Sequence, residues 1–235
     1  MSIYTIDVGN TRIKVAQFED GKLVQKKSFQ LLEAFYLYYD TQKVEKSILS
    51  SVRNLHWRSS SQTVPLLLNQ STTLPFENLY RTKETLGNDR KALVSGAVKL
   101  FPNQNCLIID AGTCITYDFV NAKKQYFGGS ISPGYAMRYR ALNQYTSKLP
   151  LVEIEKENIE LMGGSTIASI KSGVYYGMLS EIAGFIEQYS KKHTNLTTIL
   201  TGGDAKYFEK HLKARIFAIP DLQMEGLYHI LEQND

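Results

Sequence analysis

The chain has 235 residues, 43% hydrophobic and 21% charged, which is typical of a globular protein and excludes a disordered or fibrous one. This length suits one large domain or two small ones, each with its own buried core. The net charge of +4 comes with lysine pairs that are scattered along the chain, so we expect no nucleic-acid partner.

The N-terminal stretch 3–16 is typical of a strand, a tight turn and a second strand. Gly9 and Asn10 tolerate positive φ, which favours a turn that points backbone N–H groups outward. Such donors can bind phosphate oxygens, while Thr11 would add a hydroxyl group, Lys14 a cation, and Asp7 could hold Mg²⁺ through water. An ordinary hairpin with Asp7 at its turn is the alternative, and this stretch alone does not decide between them.

The remaining pattern predicts two runs of adjacent strands, each followed by alternating helices and strands. In the first run, strands are predicted at 22–29, 44–52 and 63–68, helices at 31–39 and 89–101, and a short helix or loop at 55–61. In the second run, strands are predicted at 107–110, 114–120, 124–131, around 199 and at 216–219, and helices at 136–145, 167–189, 206–212 and 222–231.

This order predicts an α/β protein with two ribonuclease-H-like domains, each a mixed sheet with flanking helices, around an interdomain cleft. We expect the domains to span 1–104 and 105–235. Cys106 and Cys114 lie in apolar runs without metal-ligand spacing, which favours reduced thiols over a disulfide. The chain starts its first strand at once, and no apolar run is long enough to span a membrane, so we expect a cytoplasmic protein.

The glycine turn of the first hairpin has two counterparts later in the chain. Asp110-Ala111-Gly112-Thr113 follows an apolar run, and Thr201-Gly202-Gly203-Asp204 follows another. Ligands of open α/β sheets gather at the carboxyl ends of strands, where these turns are predicted to lie. The ordered trio resembles the two phosphate loops and the adenosine loop of the actin-like ATPase and sugar kinase superfamily.

The long connection 74–90 leads to Asp89 and Arg90 at the start of a predicted helix, and long connections are often functional. Asp89 fits an N-cap, but a helix N-terminus also favours an ionised carboxylate, which suits a group that accepts a proton from a substrate hydroxyl. Arg90 could bind an anionic substrate or be a surface arginine. Two more glycine-rich stretches, 128–134 and 163–173, also lead into predicted helices, where caps such as Ser132 or Ser165 would explain them.

Together these motifs closely resemble type III pantothenate kinase over nearly the whole chain. The motifs that carry the resemblance are Asp7-Val8-Gly9-Asn10-Thr11, Gly87-Asn88-Asp89-Arg90, Asp110-Ala111-Gly112-Thr113, the glycine-rich stretch 129–134, Ser165-Thr166, and Thr201-Gly202-Gly203-Asp204. The resemblance implies a kinase, usually a homodimer, that phosphorylates pantothenate with ATP to 4'-phosphopantothenate in the first step of coenzyme A synthesis. It also implies a need for Mg²⁺ and for a monovalent cation, K⁺ or NH₄⁺.

The resemblance also implies roles for single residues. ATP would be bound by Asp7, Val8, Gly9, Asn10, Thr11, Arg12, Ile13, Lys14 and Thr113, with Mg²⁺ near Asp7 and the monovalent cation at Asp110. Asp89 would be the general base, and pantothenate would contact Tyr80, Gly87, Asn88, Asp89, Arg90 and Thr166. Cys114 is a departure, since an alanine commonly follows the threonine in the family. The alternatives are a kinase for another small alcohol and a non-catalytic regulatory or accessory relative. The retained Asp7, Asp89 and Asp110 argue against the non-catalytic alternative.

Overall fold

The computed structural model describes residues 1–53, 55–59, 63–155, 158–212 and 215–234. Its strands are β1 Ser2–Val8, β2 Ile13–Glu19, β3 Lys22–Phe29, β4 Lys46–Ser51, β5 Leu66–Leu67, β6 Glu77–Asn78, β7 Asn105–Ala111, β8 Cys114–Val120, β9 Gln125–Pro133, β10 Leu196–Thr201 and β11 Ile216–Ala218. Its α-helices are α1 Leu32–Tyr39, α2 Asn88–Leu100, α3 Tyr135–Gln144, α4 Thr166–Lys192, α5 Ala205–Glu209 and α6 Leu222–Glu232, and a short 3-10 helix lies at Lys83–Thr85.

The chain divides into two compact units. The first unit contains Met1–Pro102, Lys124–Tyr126 and Asp221–Asp235, and the second contains Asn103–Lys123 and Phe127–Pro220. The first unit therefore includes the C-terminal helix α6, which the division into 1–104 and 105–235 assigned to the second part.

The first unit is built on a sheet with the strand order β3-β2-β1-β4-β5. Strands β1, β2 and β3 are antiparallel, while β4 runs parallel to β1. Alternate residues of β1 enter different cores: Ile3 packs in a cluster with α6, and Ile6 packs in a cluster with α1. Because both faces of β1 are buried, its carboxyl end is held firmly in the unit.

Helices α2 and α6 pack closely because glycines let their backbones approach. A Cβ atom on Gly226 would lie 1.7 Å from the carbonyl oxygen of Ala92, and one on Gly96 would lie 2.4 Å from the carbonyl oxygen of Leu222. The last helix of the chain is thus a structural support for α2 within the first unit.

The second unit is built on strands in the order β11-β10-β7-β8-β9. Strand β7 pairs antiparallel with β8 and parallel with β10. The long helix α4 covers this sheet, because Met178 and Ile182 join Leu107 and Ile109 in one core. Strand β6 pairs with the first two residues of β9, and all of these paired residues belong to the first unit.

Most predicted elements agree with the structure within a few residues, but the strand predicted at 63–68 was too long. Only Leu66–Leu67 forms a strand, directly after Pro65, which has no N–H group to donate to a neighbour. The described residues of the predicted short helix or loop, 55–59, are a loop, and residues 60 and 61 lie outside the described part.

Candidate active site

Asp7 lies near the carboxyl end of β1 with only 5% of its surface exposed. In the sheet it is opposite Lys14 on β2 and Ser50 on β4. The pKa of Asp7 is raised from 3.8 to about 6, and burial is the largest cause. Lys14 opposes this shift, the charge of Asp89 adds to it, and hydrogen bonds from Ser50 and Gln223 oppose it. The two carboxylates, far apart in sequence, are therefore near enough in the first unit to affect each other.

The turn between β1 and β2 is closed by the N–H group of Gly9, which donates to the carbonyl oxygen of Arg12 at 3.0 Å. The predicted hairpin is present, although Gly9 and Asn10, which tolerate positive φ, do not adopt it here. The side chains of Asn10, Thr11, Arg12 and Lys14 are exposed around the turn, whereas Val8 and Ile13 are buried. The exposed polar groups are therefore available to a phosphorylated ligand.

The start of α2 places Asp89 and Arg90 in its first turn. Gly87 is the N-cap residue, so the interpretation of Asp89 as the cap was wrong. One carboxylate oxygen of Asp89, Oδ1, accepts the N–H group of Arg90 at 2.8 Å. A Cβ atom on Gly87 would lie 2.3 Å from that same oxygen, so glycine leaves the space that the carboxylate occupies.

Arg90 is 6% exposed, so the alternative of a surface arginine was also wrong. Its guanidinium carbon lies 5.5 Å from the ring centroid of Tyr80, within the range of a cation–π interaction. Tyr80 in turn stacks on Tyr126, with ring centroids 6.1 Å apart. The arginine is thus held in a fixed place beside Asp89.

In the second unit, Asp110 lies near the carboxyl end of β7, and Gly112-Thr113 connects β7 to β8. Gly112 donates its N–H group to the carbonyl oxygen of Cys114 at 2.9 Å, and Gly134 donates to that of Thr113 at 3.1 Å. A Cβ atom on Gly134 would lie 2.2 Å from the carbonyl oxygen of Gly112. The glycine before α3 is therefore packed directly against this loop.

The turn Thr201-Gly202-Gly203-Asp204 lies at the same end of β7, because β10 runs parallel to β7 and pairs Thr201 with Asp110. Gly202 has φ +97°, and a Cβ atom there would lie 2.4 Å from Oδ1 of Asp110 and 2.4 Å from the carbonyl oxygen of Ala111. Asp204 donates its N–H group to that same carbonyl oxygen at 2.9 Å. The structure thus brings two of the predicted glycine loops together inside the second unit.

Thr166 is the exposed first residue of α4. The preceding residue, Ser165, is the N-cap, and its hydroxyl oxygen accepts the N–H group of Ala168 at 3.2 Å. The predicted site residues therefore form two sets. The first unit holds residues 7–14, Tyr80 and residues 87–90, and the second unit holds Asp110, Thr113 and Thr166.

Sequence reasoning missed two residues, Ser50 and Gln223, whose side chains lie beside Asp7. Ser50 lies one strand away on β4, and Gln223 lies in α6. Neither stands in a recognisable motif, so only the strand register and the packing of α6 identify them. Among the described residues, no group of three or more His, Cys, Asp or Glu side chains is placed to hold a metal ion. No α-helix in the described part of the chain is long and apolar enough to cross a membrane.

The fold is similar to that of solved proteins of low sequence identity. A conserved Baf family protein from Campylobacter jejuni has a TM-score of 0.66 at 18% identity, with 98% of each chain covered. An activator of 2-hydroxyisocaproyl-CoA dehydratase from Clostridium difficile, solved with bound ADPNP, has a TM-score of 0.53 at 13% identity, with 100% of this chain and 96% of that chain covered. The protein thus has the fold of the actin-like ATPase and sugar kinase superfamily, as predicted.

Sequence similarity identifies the family. Residues 3–188 match the family model described as type III pantothenate kinase. The type III pantothenate kinase of Cytophaga hutchinsonii is 47% identical over 231 residues, which cover 97% of this chain and 98% of that protein. The chain belongs to the type III pantothenate kinase family and is an enzyme of the phosphotransferase class, which confirms the resemblance seen in the sequence.

Proposed function

We propose that the protein transfers the γ-phosphoryl group of ATP to the primary hydroxyl group of pantothenate, which gives 4'-phosphopantothenate for coenzyme A synthesis. The observation that carries this proposal is the start of α2, where the Asp89 carboxylate accepts the backbone N–H group of Arg90 and the Arg90 side chain is buried in the same helical turn. A kinase of this kind needs a proton acceptor for the hydroxyl group and a fixed positive charge for the anionic reactants.

Asp89 would accept the proton of the pantothenate hydroxyl group. Its place in the first turn of α2 puts the carboxylate at the helix N-terminus, where a substrate hydroxyl group can approach from outside the helix. Arg90 is already packed on Tyr80, so its guanidinium group would bind an anionic group with little further loss of side-chain freedom. Gly87, Asn88 and Thr166 would complete the pantothenate contacts.

ATP would be bound by the β1–β2 turn through its backbone and through Asn10, Thr11 and Lys14, with Thr113 as a further contact. The turn fits phosphate oxygens, because its polar side chains are exposed while its flanking apolar residues are buried. Asp7 is a suitable acceptor for the water molecules of Mg²⁺. When bound, Mg²⁺ would neutralise charge on the transferring phosphates.

A monovalent cation, K⁺ or NH₄⁺, would lie at Asp110. The fit rests on Gly202, since any Cβ atom there would lie 2.4 Å from Oδ1 of Asp110 and fill the space beside that oxygen. The carboxylate and the carbonyl oxygens at the end of β7 are the hard oxygen ligands that such a cation prefers.

We also propose a homodimer, a cytoplasmic location and two domains, 1–104 and 105–235, with the C-terminal helix α6 packed in the unit of the first domain. Support for the dimer comes from apolar side chains of the second unit that are more than 70% exposed, Tyr145, Leu161 and Met162. Support for the location comes from Cys106 and Cys114, which are both free thiols. Sedimentation equilibrium tests the dimer, because a monomer would give a mass of 26.6 kDa and a dimer would give twice that mass.

One assay of ATP consumption tests the proposed reaction. We expect turnover only when Mg²⁺ and pantothenate are both present, and none when a hexose replaces pantothenate. Turnover with the hexose and none with pantothenate would instead support a kinase for another alcohol. No turnover with any acceptor, despite a folded protein, would support the non-catalytic alternative.

A further inference from the structure

A cavity of about 230 Å³ lies within the first unit, beside the start of α2. It has an apolar wall, formed by Leu74 and Phe76, and a polar wall with two lysines. Its lining residues are Asn69, Gln70, Thr72, Leu74, Phe76, Asn78, Lys83 and Lys91. Asp89 and Arg90 do not line it, so it differs from the proposed pantothenate site.

Lys91 is an unusual residue for such a wall, because only 4% of its surface is exposed. Its ammonium nitrogen donates to Oδ1 of Asn88 at 3.1 Å and lies 3.4 Å from the carbonyl oxygen of Asn69. Both acceptors are neutral, and burial lowers the pKa of the Lys91 ammonium. An ammonium group has three N–H donors, so one donor has no protein acceptor in the part of the chain that the structure describes.

The charge of the cavity is not balanced locally. Its lining contains two lysines and no aspartate or glutamate. Over the described ranges, neither Lys83 nor Lys91 forms an ion pair with a carboxylate. A buried cation without a partner is costly, and an anion bound from solution would remove that cost.

We infer that this cavity binds a small phosphate monoester, with its phosphate group between Lys83 and Lys91 and its organic part on Leu74 and Phe76. Two lysines match the double negative charge of a phosphate monoester, whereas a carboxylate carries a single charge, and lysine binds phosphate as a point charge. The amide group of Asn78 offers a further donor in the lining, and Gln70 offers its second N–H, because its Nε2 already donates one to the carbonyl oxygen of Glu84 at 2.6 Å.

The occupant would also contact the segment that carries the proposed general base. Asn88 accepts from Lys91 and donates from Nδ2 to the carbonyl oxygen of Leu68 at 2.8 Å, and it directly precedes Asp89. The cavity is thus separate from the proposed reaction centre but joined to it through one residue.

Isothermal titration calorimetry with phenyl phosphate tests the inference on the full chain, with inorganic phosphate and benzoate as comparison ligands. The β1–β2 turn is kept occupied by a saturating, non-hydrolysable ATP analogue with Mg²⁺, so that phosphate binding there does not contribute. We expect Lys91→Met to weaken phenyl phosphate binding by about tenfold or more, as for loss of a charge-assisted hydrogen bond. Lys83→Met should weaken it by a smaller factor, because Lys83 is exposed.

The matched control is Lys22→Met, which removes the same charge from an exposed lysine on the edge strand β3 and should leave binding unchanged.

Thermal unfolding adds a second readout. Without ligand, Lys91→Met should be at least as stable as wild type, because it replaces a buried cation that has no carboxylate partner. Phenyl phosphate at the same concentration should nevertheless raise the Tm of Lys91→Met less than that of wild type. Equal binding to wild type, Lys83→Met and Lys91→Met would overturn the site, and tighter binding of benzoate than of phenyl phosphate would overturn its chemical class.

Discussion

Replacing Gly87 with alanine should displace the carboxylate of Asp89 while leaving it in the protein. The added Cβ atom would lie 2.3 Å from Oδ1 of Asp89, whereas ordinary contact begins at 3.4 Å. The carboxylate therefore has to move by about 1 Å relative to residue 87. A misplacement of that size costs about 10²-fold in turnover, or about 2.7 kcal/mol of transition-state stabilisation.

The same change should have little effect on the fold. Gly87 has φ −58° and ψ 140°, which alanine adopts without strain. Alanine is a poorer N-cap than glycine, by about 1 kcal/mol at most, so Tm should fall by about 2–4 °C. Loss of turnover without loss of fold is the signature that separates displacement of Asp89 from general damage.

The assay is steady-state turnover with ATP and pantothenate, measured for Gly87→Ala, Asp89→Asn and the double variant. If alanine acts through Asp89, the double variant should be no slower than Asp89→Asn alone, because there is no base left to displace. Gly184→Ala is the matched control, since a Cβ atom at this position in α4 meets nothing within 4 Å. Wild-type turnover of Gly87→Ala, or additive losses in the double variant, would refute the reasoning.

Four further outcomes are expected. Asp89→Asn should reduce turnover by roughly 10²- to 10⁴-fold and keep ATP binding, so a variant with near wild-type turnover would contradict the general base. Activity should depend on K⁺ or NH₄⁺, and full activity in buffer containing Na⁺ alone would remove that role from Asp110. Burial raises the pKa of Glu181, but hydrogen bonds from Arg138 and Tyr117 outweigh it and lower the pKa below 4.5. Glu181→Gln should therefore lower the unfolding free energy by about 1–3 kcal/mol at pH 7, and the deficit should shrink as the pH falls below 4.5; a deficit independent of pH would contradict this. Gly226→Ala should force α6 away from Ala92 and lower the free energy of unfolding by about 3 kcal/mol or more. A variant that unfolds in urea at the same midpoint as wild type would contradict this prediction.

The sequence was informative where a local rule governs the structure. An apolar run that ends in Asp-x-Gly predicts a strand and a turn, and both β1 and β7 end in this way. The start of α2 was predicted within one residue. In each case the deciding residues are neighbours in the chain, so their pattern can be recognised without the fold.

Contacts between distant segments could not be predicted in this way. The sequence predicts that the Gly202 turn follows a strand, but it does not indicate that Gly134 and Gly202 both pack against the end of β7. Lys91 follows Asn88, Asp89 and Arg90 at the start of α2, and such a polar run predicts exposed side chains. Lys91 is buried instead, and its ammonium group contacts the loop at Asn69. Helix α6 was predicted as a helix, but its packing on α2 depends on Gly96 and Gly226, which are remote from each other in the chain.

The packing of α6 on α2 also has a consequence for synthesis. Domains generally fold from the N-terminus as they leave the ribosome, at about 5–20 residues per second. Here the sheet of the first unit is complete early, but its supporting helix begins only at Leu222. The residues between Pro102 and Asp221 delay that helix by roughly 6–24 s at these rates. During this interval the face of α2 that carries Ala92 and Gly96 has no α6 to cover it, so a nascent chain stalled before Leu222 should be a target for chaperones and proteases.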